Sequence, residues 1–340
     1  MDKSVENMFG TDIVLTSRIR IARNLENMPF PHKMTNEQTR KLINEVASSI
    51  IDSNSAIAHT FDLIKLKDIN QLERLSLVEK HLISMDLFKN YDKTAVLLNS
   101  DRTVSIMINE EDHIRLQVIY PGLKIKEAYE YASRLDDLIE EKITYAFDSK
   151  LGYLTSCPTN IGTGLRASVM LHLPALTITK NINNILNTVT QVGITIRGIY
   201  GEGSNAMGNI YQISNQVTLG LSEEDIINNL LAVVNKIILQ EKRTRGIMLE
   251  KQGMELEDDI YRSLGVLKYA RVLSASECLN LLSKVRMGIE MGIIKDIDIN
   301  KINELIVKVQ PATLQIIEGR ELDSRTRDIT RAKIVRKSIS

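Results

Sequence analysis

The chain has 340 residues, enough to bury a sizeable core and to hold two domains, and its 43% hydrophobic and 25% charged content is ordinary for a soluble globular protein. Lysine plus arginine equals aspartate plus glutamate at 43 each, so the net charge indicates neither a nucleic acid nor a membrane partner. Two cysteines are too few for a disulfide framework, the polar N-terminus has no signal peptide, and no apolar run would span a bilayer, so we expect a cytoplasmic protein.

The first predicted element is a strand from Asp12 to Arg23. Side chains alternate along a strand, which places Ile13, Leu15, Ile19 and Ile21 on one side with Ser17. Arg18 and Arg20 then lie together on the other side, where they repel each other unless an anion lies between them. An exposed basic edge strand would explain them equally well. We expect Arg23 to be structural.

Two amphipathic helices and a hairpin follow. The first helix spans Thr35 to about Asp52 and begins with a capping box, and the second run covers about Leu72 to Phe88. The second run contains His81, and a single histidine on a helix is more often a surface or core residue than a ligand. Residues 94–109 predict a hairpin that turns at residues 99–102.

The hairpin leads into the sequence NEEDHIR at residues 109–115. Three carboxylates in a row usually mark a solvated turn. Arg115 shares a strand face with His113 and Gln117, and a long helix is expected from Gly122 to about Phe147.

The most informative stretch runs from Tyr153 to Gly220. A glycine loop, CPTNIGTG at residues 157–164, precedes an alternating strand at residues 165–173. A helical run at about 176–191 leads to a strand at 193–197 and a second glycine loop, GIYGEGS at 198–204. A strand at 210–219 ends the unit. Each glycine loop lies beside an arginine, Arg166 or Arg197, and the loops contain Cys157 and Glu202.

Ser222 is predicted to cap a helix that runs towards Lys251. Strands and helices alternating in this way indicate an α+β domain, an antiparallel sheet with helices packed on one face. From about Leu256 the pattern is helical only, with predicted helices at 260–273, 276–291, 299–309 and 324–339. We therefore expect a catalytic domain at residues 1–253 and a small helical domain at 254–340.

Four segments closely resemble motifs of the phosphagen (guanidino) kinases: the two glycine-loop segments, NEEDHIR, and TSRIR at residues 16–20. Within that superfamily the chain resembles the bacterial protein arginine kinases of the McsB type. The resemblance implies catalytic roles for Glu111, Glu202 and Cys157. It implies a phosphagen-kinase-like fold and ATP with Mg²⁺ as cofactors, with no metal ligand from the protein. The implied ATP-binding residues are Thr16, Ser17, Arg18, Ile19, Arg20, His81, Arg115, Arg166, Ala167, Ser168, Val169, Met170, Arg197, Gly198, Ile199, Tyr200, Gly201 and Glu202.

The residue types suit this chemistry. Neither a P-loop nor a DFG motif is present, so a phosphate cradle must be built differently. Guanidinium groups are planar, always charged and bidentate towards phosphate oxygens. A guanidinium acceptor must be held and must lose a proton, which suits Glu111 and Glu202 as a pair of carboxylates, one of them the base. Cys157 is interpreted as an orienting group, with a small buried hydrophobe as the alternative.

Two features favour a protein substrate. Only sixteen residues precede Ser17, so we expect the helical lid of the small-molecule kinases to be missing. The C-terminal sequence RDITRA resembles the phosphoarginine-binding pocket of protein arginine kinases, with Arg327 and Arg331 on one helix face. The implied pocket residues are Arg327, Asp328, Ile329, Thr330, Arg331 and Ala332.

The leading hypothesis is thus transfer of the γ-phosphoryl group of ATP to arginine side chains of proteins, which marks them for Clp-type proteolysis. The resemblance further implies an activator protein, a Clp partner and a homodimer or larger assembly. A free-arginine phosphagen kinase and a non-catalytic phosphoarginine-binding adaptor remain as alternatives.

Overall fold

The computed structural model describes residues 8–190, 193–198 and 207–339. Its strands, in chain order, are β1 Val14–Arg23, β2 Phe61–Lys65, β3 Ala95–Asn99, β4 Val104–Ile108, β5 Ile114–Pro121, β6 Phe147–Asp148, β7 Gly152–Tyr153, β8 Leu165–His172, β9 Ile194–Gly198 and β10 Ile210–Asn215. Its α-helices are α1 Asn36–Ile51, α2 Gln71–Glu79, α3 Met85–Lys89, α4 Ile125–Glu140, α5 Pro174–Ile178, α6 Ile182–Thr190, α7 Glu223–Tyr269, α8 Ala275–Glu290, α9 Ile299–Lys308, α10 Pro311–Glu318 and α11 Ser324–Ile339.

Eight of the described strands form one sheet in the order β2-β3-β4-β5-β1-β8-β10-β9, and every neighbouring pair is antiparallel. The predicted α+β fold with an antiparallel sheet is confirmed. β1 is a central strand, paired with β5 on one side and with β8 on the other. The explanation of its arginines as a basic edge strand is therefore wrong.

One face of the sheet carries the main hydrophobic core. The alternation predicted for β8 is confirmed, because Leu165, Ala167, Val169 and Leu171 all point into this core. The apolar stripes of α1, α4, α6 and the first half of α7 cover it. Burying these side chains is the main favourable term in folding, at roughly 25 cal/mol per Å² of apolar surface.

The opposite face is also partly covered, so the expectation of helices on one face only is wrong. Above β3 and β4, the α2–α3 segment packs around Leu82 and Leu87. At the far end of β1, β8 and β10, a second core joins the sheet to the end of α7 and to α8, α9 and α11. We call α8–α11 the C-terminal helices. Leu15 belongs to this second core, away from Ile19 and Ile21, because the β1–β8 register shifts between Val14 and Thr16.

Several predicted helix boundaries differ from the structure. The long helix expected from Gly122 is the shorter α4, and the run at 176–191 is two short helices, α5 and α6. Helix α8 is capped by Ser274, not Ser276, and α10 was not predicted. The proposed domain boundary at 253/254 lies within α7, next to Gln252, whose backbone is non-helical at φ −141° and ψ 40°.

Arg23 at the end of β1 is the central residue of a buried polar cluster. Its guanidinium forms an ion pair with Asp136 of α4 at 2.6 Å, and Tyr145 donates a hydrogen bond to the same carboxylate at 3.0 Å. The guanidinium also lies 3.4 Å from the ring centroid of Tyr153 and donates to the Thr163 carbonyl at 2.9 Å. Arg23 therefore ties α4 and the first glycine loop to the central strand, and is structural as expected.

Replacing Asp136 by asparagine should destabilise the fold strongly. The guanidinium of Arg23 would stay buried without its counter-charge, which costs roughly 3 to 5 kcal/mol of unfolding free energy. Urea denaturation at neutral pH measures this loss. Asp137→Asn, at the exposed neighbouring position of the same helix, is the matched control and should stay close to wild type. Equal midpoints for the two variants would contradict the structural role of the pair.

Candidate active site

Five arginines meet on the face of the sheet opposite the main core. In the register of β1 and β8, Arg20 lies directly across from Arg166. On β9, Arg197 lies across from Gln212 of β10, on the same face. These three arginines line a cavity of about 280 Å³ together with Arg18 and Arg115. The five arginines that the resemblance assigned to ATP binding therefore line one cavity.

Several positive charges lie close together in this cavity. Burial, with the neighbouring charges of Arg115 and Arg166, lowers the pKa of Arg18 to about 10. Burial and the same kind of repulsion lower the pKa of Arg20 as well. The Nε atom of Arg20 is buried, and no described group accepts a hydrogen bond from it. Like charges placed this close are unfavourable by themselves, so the cavity is suited to a ligand with several negative charges.

Polar side chains that the sequence reasoning missed hold two of the arginines. The buried carboxylate of Glu110 pairs with Arg115, and it also accepts a hydrogen bond from Ser84 Oγ at 2.5 Å. The Gln212 amide oxygen accepts a hydrogen bond from Arg18. Glu110 lies within the NEEDHIR motif, and the structure shows that its carboxylate contacts Arg115 more closely than the carboxylate of Glu111 does.

A smaller cavity of about 140 Å³ adjoins the first one and shares Arg20, Arg115 and Arg166 with it. Its wall contains Glu111 and Cys157, and Glu111 Oε2 lies 3.7 Å from Arg115 Nη2. The pKa of the Glu111 carboxyl is raised, chiefly by partial burial, and nearby Asp112 and Glu110 act in the same direction. Arg115 and a hydrogen bond with the Cys157 side chain act in the opposite direction. A carboxyl group with a raised pKa, in a cavity that adjoins the arginine cavity, is suited to accept a proton.

The glycine loop that carries Cys157 is held close to β1. Gly164 adopts φ +64°, and a Cβ atom there would lie 2.6 Å from the Ala22 carbonyl oxygen. Only glycine tolerates both conditions. The Thr218 hydroxyl is within hydrogen-bond distance of the carbonyls of Thr159 and Ile161, at 3.0 and 2.7 Å. These contacts place the loop, and with it Cys157, beside Glu111.

His81 is not on a helix. It adopts φ +58° in the turn between α2 and α3, and its carbonyl accepts a hydrogen bond from Gln117 Nε2 at 2.8 Å. Its ring lines the arginine cavity. Burial and then the charges of Arg18 and Arg20 lower its pKa to about 4, so the ring is neutral at physiological pH and adds no further charge.

The other predicted nucleotide-binding residues divide by sheet face. Thr16, Ser168 and Met170 line a small polar and apolar recess beside Arg18 and His81, and Gly198 lines the arginine cavity. The side chains of Ile19, Ala167 and Val169 lie on the opposite face in the main core, and do not reach the cavity. Ser17 also points away, because its hydroxyl donates to the Gly122 carbonyl and accepts from the Lys124 amide. The residues Ile199, Tyr200, Gly201 and Glu202 lie outside the described part of the chain.

The predicted C-terminal pocket residues lie on α11, where Arg331 is deeply buried. Its Nε donates to the Val309 carbonyl at 2.9 Å, and its Nη1 donates to the Leu273 carbonyl at 2.8 Å and to Asp328. Thr330 and Ala332 are also buried, Arg327 and Asp328 are half-buried, and Ile329 is exposed. Arg327 and Arg331 therefore do not form one exposed face.

Among the described residues, no group of histidine, cysteine and acidic side chains could hold a metal ion. None of the described helices is long and apolar enough to cross a membrane.

Comparison with known proteins agrees with this geometry. Residues 41–244 match the family model described as "ATP:guanido phosphotransferase, C-terminal catalytic domain", and residues 253–340 match "Protein-arginine kinase McsB C-terminal domain". A protein-arginine kinase of Clostridium kluyveri is 54% identical over 96% of this chain and 95% of its own, and one of Caldanaerobacter subterraneus is 51% identical over 96% and 97%. The crystal structure of a lombricine kinase superposes with a TM-score of 0.60 at 27% identity, over 70% of this chain and 68% of its own.

The chain therefore belongs to the ATP:guanido phosphotransferase family, in the branch of the protein-arginine kinases.

The titration of Glu111 tests the geometry of the smaller cavity without any substrate. Its carboxyl should titrate above the ~4.3 of an unperturbed glutamate, because burial penalises the charged form. Cys157→Ala removes the hydrogen bond that favours the carboxylate, so the midpoint should move to higher pH. NMR of carbon-13-labelled glutamate carboxyls measures the midpoint, with Glu111→Gln assigning the signal. Cys157→Ser keeps a donor and is the control; a midpoint unaffected by Cys157→Ala would show that the contact is absent in solution.

Proposed function

We propose that this protein is a protein-arginine kinase, which transfers the γ-phosphoryl group of ATP to arginine side chains of other proteins. The observation that supports it best is the pair of adjoining cavities, one lined by five arginines and the other by Glu111 and Cys157. Three arginines belong to both walls, so a phosphoryl group at the junction would contact them from either side. The family membership and the match to the McsB C-terminal domain support the same assignment.

The larger cavity suits the triphosphate. Guanidinium groups of Arg18, Arg20, Arg115, Arg166 and Arg197 would bind its oxygens in bidentate fashion and stabilise charge that spreads over the transferring group. The buried Nε of Arg20 fits this assignment, since a phosphate oxygen would supply its missing acceptor. Mg²⁺ would be held mainly through the phosphates, as the resemblance implies. When bound, the ion neutralises phosphate charge.

The smaller cavity suits the acceptor guanidinium. One of its nitrogens attacks the γ-phosphorus while the bond from that phosphorus to the β–γ bridging oxygen breaks, and ADP leaves with the bond electrons. The nitrogen's proton passes to the Glu111 carboxylate, whose raised pKa suits it as the base. We propose that Glu202 holds a second edge of the acceptor and that Cys157 orients it. Removal of the proton leaves a neutral phosphorylated guanidine nitrogen and a stable product.

The wider role is proposed from the relatives. Proteins marked in this way would be directed to Clp-type proteolysis during stress responses in the cytoplasm, with an activator protein and a homodimer or larger assembly. The match to the McsB C-terminal domain over residues 253–340 supports this proposal.

Mass spectrometry at neutral pH tests the proposed reaction directly. A candidate protein with exposed arginines is incubated with ATP, Mg²⁺ and the enzyme, and acid is avoided because the P–N bond is acid-labile. We expect phosphorylated arginine side chains. Arg166→Lys should lower the transfer rate by about 100-fold or more, since a point charge cannot replace the guanidinium fork. Arg134→Lys, at an exposed position outside both cavities, is the control.

The outcomes separate the alternatives. Phosphorylation of free arginine without phosphorylation of proteins would identify a small-molecule phosphagen kinase. Binding of phosphoarginine without any transfer would identify a non-catalytic adaptor. Full activity of Arg166→Lys would contradict the bidentate role of this arginine.

The C-terminal phosphoarginine pocket remains a proposal, and its burial pattern changes how it should be tested. Arg331→Ala would remove buried hydrogen bonds and endanger the fold. Arg327→Ala leaves those bonds in place and should weaken phosphoarginine binding by about 10- to 100-fold, the effect of losing one charged hydrogen-bond donor. Calorimetry measures the affinity, with Arg325→Ala at an exposed position as the control. Unchanged binding in Arg327→Ala would place the pocket elsewhere.

A further inference from the structure

Glu79, the last residue of α2, forms a contact between the sheet's covering helices and the C-terminal helices. Its carboxylate accepts hydrogen bonds from the backbone amides of Ala312 and Thr313 at 2.8 and 2.7 Å, and from the Thr313 hydroxyl at 2.8 Å. Ser76, one turn earlier on α2, lies 3.4 Å from the same hydroxyl. Ala312 and Thr313 are in the first turn of α10, where backbone amides have no partner within the helix. A carboxylate there also interacts favourably with the positive end of the helix dipole.

The turn that follows Glu79 forms one wall of the arginine cavity. His81, Ile83, Ser84 and Met85 all line it. The backbone of His81 adopts φ +58°, a conformation that costs free energy for a residue other than glycine and persists only where the surroundings hold it.

The far end of the turn is held to the catalytic motif. Ser84 Oγ donates to Glu110, and Glu110 pairs with Arg115. In the middle of the turn, Gln117 Nε2 donates to the His81 carbonyl. The turn is thus fixed to β5 through Gln117 and to the loop before β5 through Glu110, and at its beginning it is fixed to α10 through Glu79.

Helix α10 is itself anchored by α11. Arg331 donates to the Val309 carbonyl, two residues before α10 begins. The Leu322 amide, in the segment leading to α11, donates to the Gln315 side chain at 2.7 Å. Because both ends of α10 are fixed, its position is set by the C-terminal helices and not by α2 alone.

We propose that Glu79 is a positioning residue for the nucleotide site, which links α10 of the C-terminal helices to the His81–Met85 wall of the arginine cavity. The proposal rests on the proposed function for the identity of the ligand, a nucleoside triphosphate. In this arrangement the affinity for nucleotide depends on a contact that the catalytic sheet cannot make by itself. By linkage, nucleotide binding must in turn stabilise the contact between Glu79 and α10.

Two substitutions break the contact with little change of shape. Glu79→Gln keeps the size of the side chain but removes the charge and one of the two acceptor oxygens. Thr313→Val removes only the hydroxyl. Thr313→Ser keeps the hydroxyl and should behave as wild type. Glu318→Gln, at an exposed position near the end of α10, is the charge-matched control and leaves the contact intact.

Equilibrium binding of ATP, measured by calorimetry on the full chain, is the primary test. We expect the dissociation constant to rise by about tenfold in Glu79→Gln, within the usual range of coupling between two sites, and by less in Thr313→Val. In transfer assays the KM for ATP should rise while kcat at saturating ATP stays close to wild type, because neither residue touches the reacting atoms. A cap that only stabilises the fold would lower the unfolding midpoint and leave nucleotide affinity unchanged.

Hydrogen exchange supplies a second measurement that does not depend on catalysis. ATP should slow exchange of the Ala312 and Thr313 amides in the wild type and in Glu318→Gln, and this protection should be lost in Glu79→Gln. If the wild type binds ATP but transfers no phosphoryl group, the proposed function fails while the positioning role of Glu79 is still tested. Wild-type ATP affinity in folded Glu79→Gln would overturn the inference.

Discussion

The repulsion between Arg20 and Arg166 is the constraint around which this structure is arranged. The two residues lie directly opposite each other on the central strands β1 and β8, and three further arginines share their face. A sheet centre is normally the most apolar part of a fold, and burial of several cations there is costly. The surrounding groups relieve only part of this cost. Glu110 pairs with Arg115, and Gln212 accepts a hydrogen bond from Arg18. The excess of positive charge on this face favours the binding of an anion.

The opposite face of the same strands supplies the stability that this cluster lacks. Every second residue of β8 points into the main core, beneath α4 and α7. Arg23 then fixes the first glycine loop to β1 through the Thr163 carbonyl, while its charge is balanced by Asp136. The site is therefore supported by a rigid sheet on one side and by a clamped loop on the other, which is what an in-line transfer between two held groups requires.

The C-terminal helices are more than an appended domain. They bury Leu15, Met170 and Ile210 at one end of the sheet, and they meet α2 at Glu79 beside the arginine cavity. Glu79, which contacts α10, is thus followed directly along the chain by the turn that lines the arginine cavity. A change in the packing of these helices has a direct physical route to the arginine cavity.

Much of this architecture could be predicted from the sequence, because its signals are local. Alternation along β8, the capping box of α1 and the hairpin of β3 and β4 depend on neighbouring residues only. The NEEDHIR motif and the two glycine loops identified the family through residue types at fixed spacing. The side on which Arg18 and Arg20 lie followed from the strand period alone.

The tertiary structure decided what depends on distant parts of the chain. Sequence order could not show that β1 is central, since its partners β5 and β8 lie about 100 and 150 residues away. The resemblance included Ile19, Ala167 and Val169 among the nucleotide-binding residues, and the structure places their side chains in the main core. Helical spacing grouped Arg331 with Arg327 on one helix face, whereas in the structure the carbonyls of Val309 and Leu273 accept hydrogen bonds from a buried Arg331. Local pattern determines which way a side chain points along its own element, and only packing determines what that side chain meets.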